Sequence, residues 1–324
     1  MAATAKALKL DDLQRARDHF PGRLHRTPIV HSATLGRLAG GRVFLKAELF
    51  QKTGSFKPRG VLNNLAALSA EQRARGVISI SAGNHAQALA WGAASEGVDA
   101  LVVMWQGASE AKIEATRGYG AQVDLASADP TEAFARLDEL VEESGRTLVH
   151  PFDHPLTMAG QGTVGLEVME DVPDAGVVVV PVGGGGLISG TATAVKGIRP
   201  QARVIGIEPE LSPALHEALA AGKSVPVSPR SVADGLGAPF AGENCLRVCA
   251  ERVDEVVLVT EEEIEEGMRF LYARAKLACE PAGAATTGAL IAGKVPLEQG
   301  ETVVAVVSGG NVAAETAVAI LGGR

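Results

Sequence analysis

The chain has 324 residues, 46% hydrophobic and 21% charged, which suits one large domain or two joined ones of a globular protein. A formal net charge of −8 without any Lys/Arg run excludes nucleic acid as an expected partner. Thirty-eight glycines against 4% aromatics fit an Ala/Val-rich α/β enzyme, and no run of about 18 uninterrupted apolar residues is available to span a membrane.

In chain order, MAATAKALKLDDLQRARDHF (residues 1–20) has no apolar core and soon turns charged, so it does not read as a signal peptide. KTGSFKPRG (52–60) sets Lys57 at the mouth of a predicted helix, with Pro58 suited to its first turn. Helix starts favour acids, because their free N–H groups carry partial positive charge. Lys57 is therefore either a solvated surface residue or an amine with chemistry to do. Positive surroundings lower an amine's pKa and favour the neutral nucleophile.

Short apolar runs then alternate with helical patterns. VISISA (77–82), ALVVMW (100–105), AQVDLA (121–126) and TLVHPF (147–152) read as strands, separated by predicted helices over 84–97, 109–120 and 131–145. A second series comprises VVVVPV (177–182), VIGIEP (204–209), VVLVT (256–260) and TVVAVVSGG (302–310), with a long amphipathic helix predicted over 261–278. The strands lack strict alternation, as strands buried on both faces do. This βα punctuation predicts parallel sheets flanked by helices, in two lobes with a cleft between them. No tandem repeat is visible, and no appended regulatory domain is expected. Cys245, Cys249 and Cys279 read as reduced thiols of a cytoplasmic protein, the first two as packing on one helix face.

Three glycine-bearing motifs follow predicted strands. Gly183, Gly184, Gly185 and Gly186 exceed what a turn requires, and their successive N–H groups at a helix start suit a phosphate. The spacing matches neither the dinucleotide fingerprint nor a P-loop. A phosphate cradle together with Lys57 points to pyridoxal phosphate, which is held by a lysine and by a phosphate site elsewhere. SISAGNHAQ (79–87) opens a helix that suits a carboxylate, with Asn84 as its N-cap, as a donor to the cofactor's phenolic oxygen, or both. VSGGN (307–311) offers the Ser308 hydroxyl at the end of a buried strand.

With VADG (232–235) and CEPAGA (279–284), these motifs stand in an order that resembles the fold type II pyridoxal-phosphate enzymes, in the threonine/serine dehydratase and serine racemase branch. The resemblance runs from RTPIVHS (26–32) to Asn311. It implies a two-lobed, tryptophan synthase β-like α/β fold. Residues 1–75 and 153–324 would form a large cofactor-binding domain, and 76–152 a small substrate-closing one. It implies that Lys57 binds the cofactor covalently and then removes the substrate α-proton. Phe56 would lie beside the ring, with Gly235 and Glu280 near it. Asn84 would bond the phenolic oxygen, and Ser308 the pyridine nitrogen. Gly183, Gly184, Gly185, Gly186 and the Leu187 backbone would hold the phosphate, while Ser81, Ala82, Asn84 and His85 would receive the substrate carboxylate. The implied reaction is β-elimination from L-threonine or L-serine to a 2-oxo acid and ammonia, by a homodimer or tetramer.

Ala82 stands where the racemases of this branch carry a serine as second acid/base, which disfavours racemisation. The branch's divalent-cation site is matched here by Glu208 and Ser212, but Ala214 takes the place of its last acid, so a monovalent ion or none is expected over a tightly held divalent one, with Glu210 as the acid that could compensate for a divalent cation. Arg136 has no clear match to the racemases' substrate arginine. A lyase acting on 3-hydroxyaspartate, a serine racemase and a small-molecule-binding α/β protein without chemistry are the alternatives. His216–Glu217 lacks a second zinc ligand at Ala220, and His150 and His154 are separated by Pro151, so all three histidines read as structural.

Overall fold

The computed structural model of the chain describes residues 7–323. Its strands are β1 (Ile29–His31), β2 (Arg42–Ala47), β3 (Val77–Ile80), β4 (Ala100–Trp105), β5 (Gln122–Ser127), β6 (Thr147–Leu148), β7 (Val177–Pro181), β8 (Arg203–Pro209), β9 (Glu255–Val259) and β10 (Thr302–Val307). They form a six-stranded sheet in the order β1-β2-β10-β7-β8-β9 and a four-stranded sheet in the order β5-β4-β3-β6. Every pairing is parallel except that of β1 with β2. The α/β class with two mostly parallel, helix-flanked sheets is therefore as expected.

The valine run of β7 shows why strict alternation is missing. Val177 and Val179 enter one buried cluster with Leu45, Ile207 and Val303, whereas Val178 and Val180 enter another with Val204, Val304 and Val306. Both faces of the sheet are covered, so every position of the strand is apolar. The smaller sheet has its own cluster, built around Val77, Val102 and Leu89. The helix Lys57–Ala66 joins that cluster through Val61, Leu62 and Leu65. Two helices beneath the cleft, Pro155–Asp171 and Gly186–Ile198, approach glycine to glycine: a Cβ on Gly190 would lie 2.3 Å from the Met158 carbonyl.

Several boundaries differ from expectation. The helix predicted over 261–278 ends as Glu261–Phe270, passes through the π-helical turn Leu271–Ala275, and stops at Lys276 with φ 60°. Its acidic start is a helix N-terminus, closed by a capping box between Thr260 and Glu263. The strand expected over 147–152 shortens to β6, because Pro151 lacks an N–H for a ladder. Of the stretch 1–20, the first six residues lie outside the described residues, and Leu10–Asp18 is a helix. Among the described residues, no helix is long and apolar enough to cross a membrane.

Candidate active site

The carboxyl ends of β10 and β7, neighbours at the centre of the larger sheet, release Ser308 and the four-glycine loop. The carboxyl end of β3 in the smaller sheet releases Ser81–His85. All of these face one cavity of about 820 Å³ between the sheets, which Phe56, Lys57, Gly235 and Glu280 also line. Every cofactor- and substrate-site residue expected from the sequence is on its wall.

Lys57 is the first residue of the helix Lys57–Ala66. Its loop is tied to the exit of β10: the Phe56 N–H donates to the Ser308 carbonyl at 3.1 Å, and Ser55 bridges Gly309. The Lys57 Nζ donates to the Pro151 carbonyl at 3.0 Å and lies 5.1 Å from the centre of the Phe56 ring. Burial of the amine pushes its pKa down from the usual lysine range to about 8.

Two residues on, Arg59 is buried in a charge quartet. Its guanidinium donates to both Glu48 carboxylate oxygens at 2.8 Å and to Glu167 Oε1 and Oε2 at 2.7 and 3.0 Å. Lys46 Nζ reaches Glu167 Oε2 at 2.5 Å. Burial alone would raise the Glu167 carboxyl, but Arg59 and Lys46 outweigh it and hold it below the ordinary range. Two cations and two anions thereby anchor the helix that carries Lys57 to the helix Pro155–Asp171.

The glycine loop has no room for side chains. A Cβ on Gly184 would lie 2.4 Å from the Phe152 ring, and one on Gly186 2.6 Å from Gln161 Oε1. Gly185 has φ 96° and would meet Cys245 Cβ at 2.7 Å. Gly185→Ala is expected to destabilise the chain by about 2–5 kcal/mol, since a left-handed non-glycine costs about 1–2 kcal/mol and an overpacked contact about 1–3 kcal/mol. Denaturant unfolding checks this; a loss below about 0.5 kcal/mol, the size of a neutral surface change, would contradict it.

Asn84 is not the N-cap. Gly83 occupies that position, and Asn84 opens the helix Asn84–Ser95 with its side chain turned across the cleft, donating from Nδ2 to Glu280 Oε1 at 2.7 Å. Burial, and then Asp234, push the Glu280 carboxyl up to about 7. His85 is buried, and its Nε2 lies 3.0 Å from both the Val149 carbonyl and Ser79 Oγ. A carbonyl only accepts, so Nε2 carries the hydrogen, and Nδ1 is left as a bare acceptor without a partner among the described residues. Burial, then Lys57, push the ring's pKa down to about 3, which keeps it neutral. The His85 side chain therefore cannot donate to a substrate carboxylate; its backbone N–H, in the first turn and without an intrahelical acceptor, can.

Lys112, Asp234, Gln161 and Pro151 also line the cavity and were not singled out from the sequence. Lys112 and Asp234 form an ion pair across the cleft. Asp234 lies within VADG, where only Gly235 was given a role; Lys112 and Gln161 stand in no motif, and the Lys112–Asp234 pair joins residues far apart in the chain.

Glu208 is buried, and its carboxylate accepts the N–H groups of Leu215 and His216, both at 2.8 Å, at the start of the helix Ala214–Ala221. Burial raises it to about 8. Helix capping accounts for this acid, and among the described residues no group of three His, Cys, Asp or Glu could hold a metal ion. Cys245 and Cys249 share the buried face of the helix Glu243–Arg252, as expected.

An amine with a lowered pKa on one wall and a glycine cradle that excludes side chains on another fit pyridoxal phosphate. They define an α/β enzyme whose reacting site lies between two sheets. The chain belongs to the pyridoxal-phosphate dependent enzyme family, whose model matches residues 22–309. It is 44% identical over 315 residues to a catabolic L-threonine dehydratase of Staphylococcus aureus strain N315, covering 95% of this chain and 90% of that protein. The structure of maize serine racemase superposes with a TM-score of 0.92 at 35% identity, covering 96% of each chain. A threonine deaminase from T.th. does so with 0.88 at 40% identity, covering 94% of this chain and 99% of that one. The two-sheet architecture is that of the fold type II pyridoxal-phosphate enzymes.

Proposed function

We propose that the protein catalyses β-elimination of water from L-threonine, L-serine or both, yielding a 2-oxo acid and ammonia. The observation that carries this reading is the Lys57 amine, lowered toward neutrality and facing the same cavity as the glycine cradle. Similarity to the dehydratase and deaminase supports the substrate class. The cavity also carries Ala82, which has no exchangeable proton with which to return the α-carbon to the opposite configuration.

Bound pyridoxal phosphate supplies the electron sink for the pair left on the substrate α-carbon. The N–H groups of the glycine loop would hold its phosphate, and the Asn84 amide would donate to its phenolic oxygen. The first-turn N–H groups of Asn84 and His85 orient the substrate carboxylate. Lys57 takes the α-proton, and its lowered pKa keeps the neutral form accessible near pH 8. The Pro151 carbonyl receives the Nζ hydrogen and fixes the amine's direction. Ser308 would offer a hydroxyl, and not a carboxylate, to the pyridine nitrogen, and so would not enforce protonation there.

Residues 76–152 would form the smaller body that closes over the substrate and brings Asn84 to the cofactor, and residues 1–75 and 153–324 the larger body that carries Lys57 and the glycine cradle. The active species is a homodimer or tetramer. Three buried free thiols suit a cytoplasmic setting.

Uptake of pyridoxal phosphate by the cofactor-free chain requires the neutral amine. Its rate is expected to rise with pH and level off near pH 8, where stopped-flow absorbance reads it. A rate still climbing toward pH 10 would show an unperturbed lysine. With L-serine as substrate, the measured products decide between the branch's two reactions. A 2-oxo acid in excess of D-serine supports the dehydratase; D-serine as the main product replaces it with a racemase.

A further inference from the structure

Asn311, at the end of the SGGN segment, holds a place in the site that its motif did not reveal. Its Nδ2 donates to the Thr53 carbonyl at 2.7 Å and to Asn84 Oδ1 at 2.8 Å. Because a backbone carbonyl only accepts, the Asn311 atom facing Thr53 is the amide nitrogen, and its two hydrogens are then both committed. The Asn84 atom next to it must be an acceptor. Asn84 is thereby forced to turn Oδ1 toward Asn311 and Nδ2 toward Glu280, where the donor–acceptor distance is 2.7 Å. One Nδ2 hydrogen of Asn84 remains, on a residue that lines the cavity.

Asn311 itself is held by the loop that carries Lys57. Thr53 adopts φ 58°, which places its carbonyl on the Asn311 amide. Gly54 has no space for a side chain, since a Cβ there would lie 2.4 Å from Asn311 Oδ1. The Gly310 N–H donates to the Gly54 carbonyl at 2.9 Å. The hydrogen bonds therefore run from the Lys57 loop through Asn311 across to Asn84 in the smaller lobe and back to Glu280 in the larger one.

We propose that Asn311 is a positioning residue that dictates which end of the Asn84 carboxamide faces the cofactor. The inference rests on the pyridoxal-phosphate reading above, with Asn84 as donor to the phenolic oxygen. An aspartate at position 311 would set carboxylate oxygens against two acceptors, the Thr53 carbonyl and Asn84 Oδ1. Asn84 would then reverse, and its oxygen would point where a donor is needed.

The test is a mutant cycle read by cofactor titration. The full-length cofactor-free chain is titrated with pyridoxal phosphate, and the dissociation constant and the position of the visible band are recorded for wild type, Asn311→Asp, Asn84→Ala and the double variant. Asn311→Asp is expected to weaken binding about tenfold or more, the size of one lost hydrogen bond to a charged acceptor, and to shift the band. In the Asn84→Ala background the same substitution is expected to change little, because residues that act through one another are not additive. An equal loss in both backgrounds, no loss from Asn311→Asp, or wild-type affinity in Asn84→Ala overturns the proposal. If Asn311→Asp does not fold, Asn311→Ala completes the same cycle with the same criteria. A wild-type chain that takes up no pyridoxal phosphate overturns the underlying reading and the proposal together, and is distinguished by that control alone.

Discussion

Lys57→Ala is expected to lower 2-oxo acid release by at least about 10³-fold, the range lost when a positioned acid–base group is removed. The covalent attachment point disappears together with the base, so the visible colour of the protein is expected to fade on gel filtration. The effect is chemical and not structural. The amine's charge acts on the buried Glu280 carboxyl, but it is the last of the influences on that group, and burial already disfavours the amine's charged form. The folded-state pKa of about 8 lies below the ordinary lysine value of 10.5, so the unfolded chain binds more protons between those values. Stability of the cofactor-free wild type therefore rises with pH across that window, and the alanine variant is expected to lack this rise. Thermal unfolding at several pH values checks it. A variant that keeps both colour and turnover would remove Lys57 from the reaction.

Arg59→Ala is expected to be the most damaging substitution for stability, at about 3–5 kcal/mol, because it strands the buried Glu48 without its cation and takes one of two from Glu167. Lys46 remains to serve Glu167 alone. Arg59→Lys keeps the charge but not the planar fork that reaches two carboxylates, so an intermediate loss is expected. The quartet also has a pH signature. Glu167 is held below the ordinary carboxylate range, so its contribution is complete above the unfolded value and disappears as pH falls through the folded one. Urea unfolding of the three proteins measures the series. A loss below about 1 kcal/mol for Arg59→Ala, the range of exposed ion pairs, would contradict this account.

The parallel strands were legible because burial on both faces leaves unbroken runs such as VVVV, and the site loops because glycines cluster where β7 and β10 end. Lys57 stood out because it sits against a helix dipole. What sequence concealed was orientation and long-range pairing. Asn84 suits an N-cap locally, yet Glu280 and Asn311, both distant in the chain, turn its side chain across the cleft. His85 lies in the carboxylate loop but spends its one hydrogen on Val149. The antiparallel start, β1 with β2, has no tight hairpin signature, since the helix Ala33–Ala39 intervenes. The Arg59 quartet joins residues 46, 48, 59 and 167, and each of these charges alone resembles a surface residue. The break at Leu271–Ala275 interrupts an apolar pattern that continues through it.

The most direct measurement is turnover of L-threonine by the purified holoenzyme, with 2-oxobutanoate and ammonia followed together. The account predicts equal amounts of the two, with neither formed by Lys57→Ala. Bound cofactor without any oxo acid from L-threonine or L-serine would contradict the proposed reaction while leaving the family assignment in place.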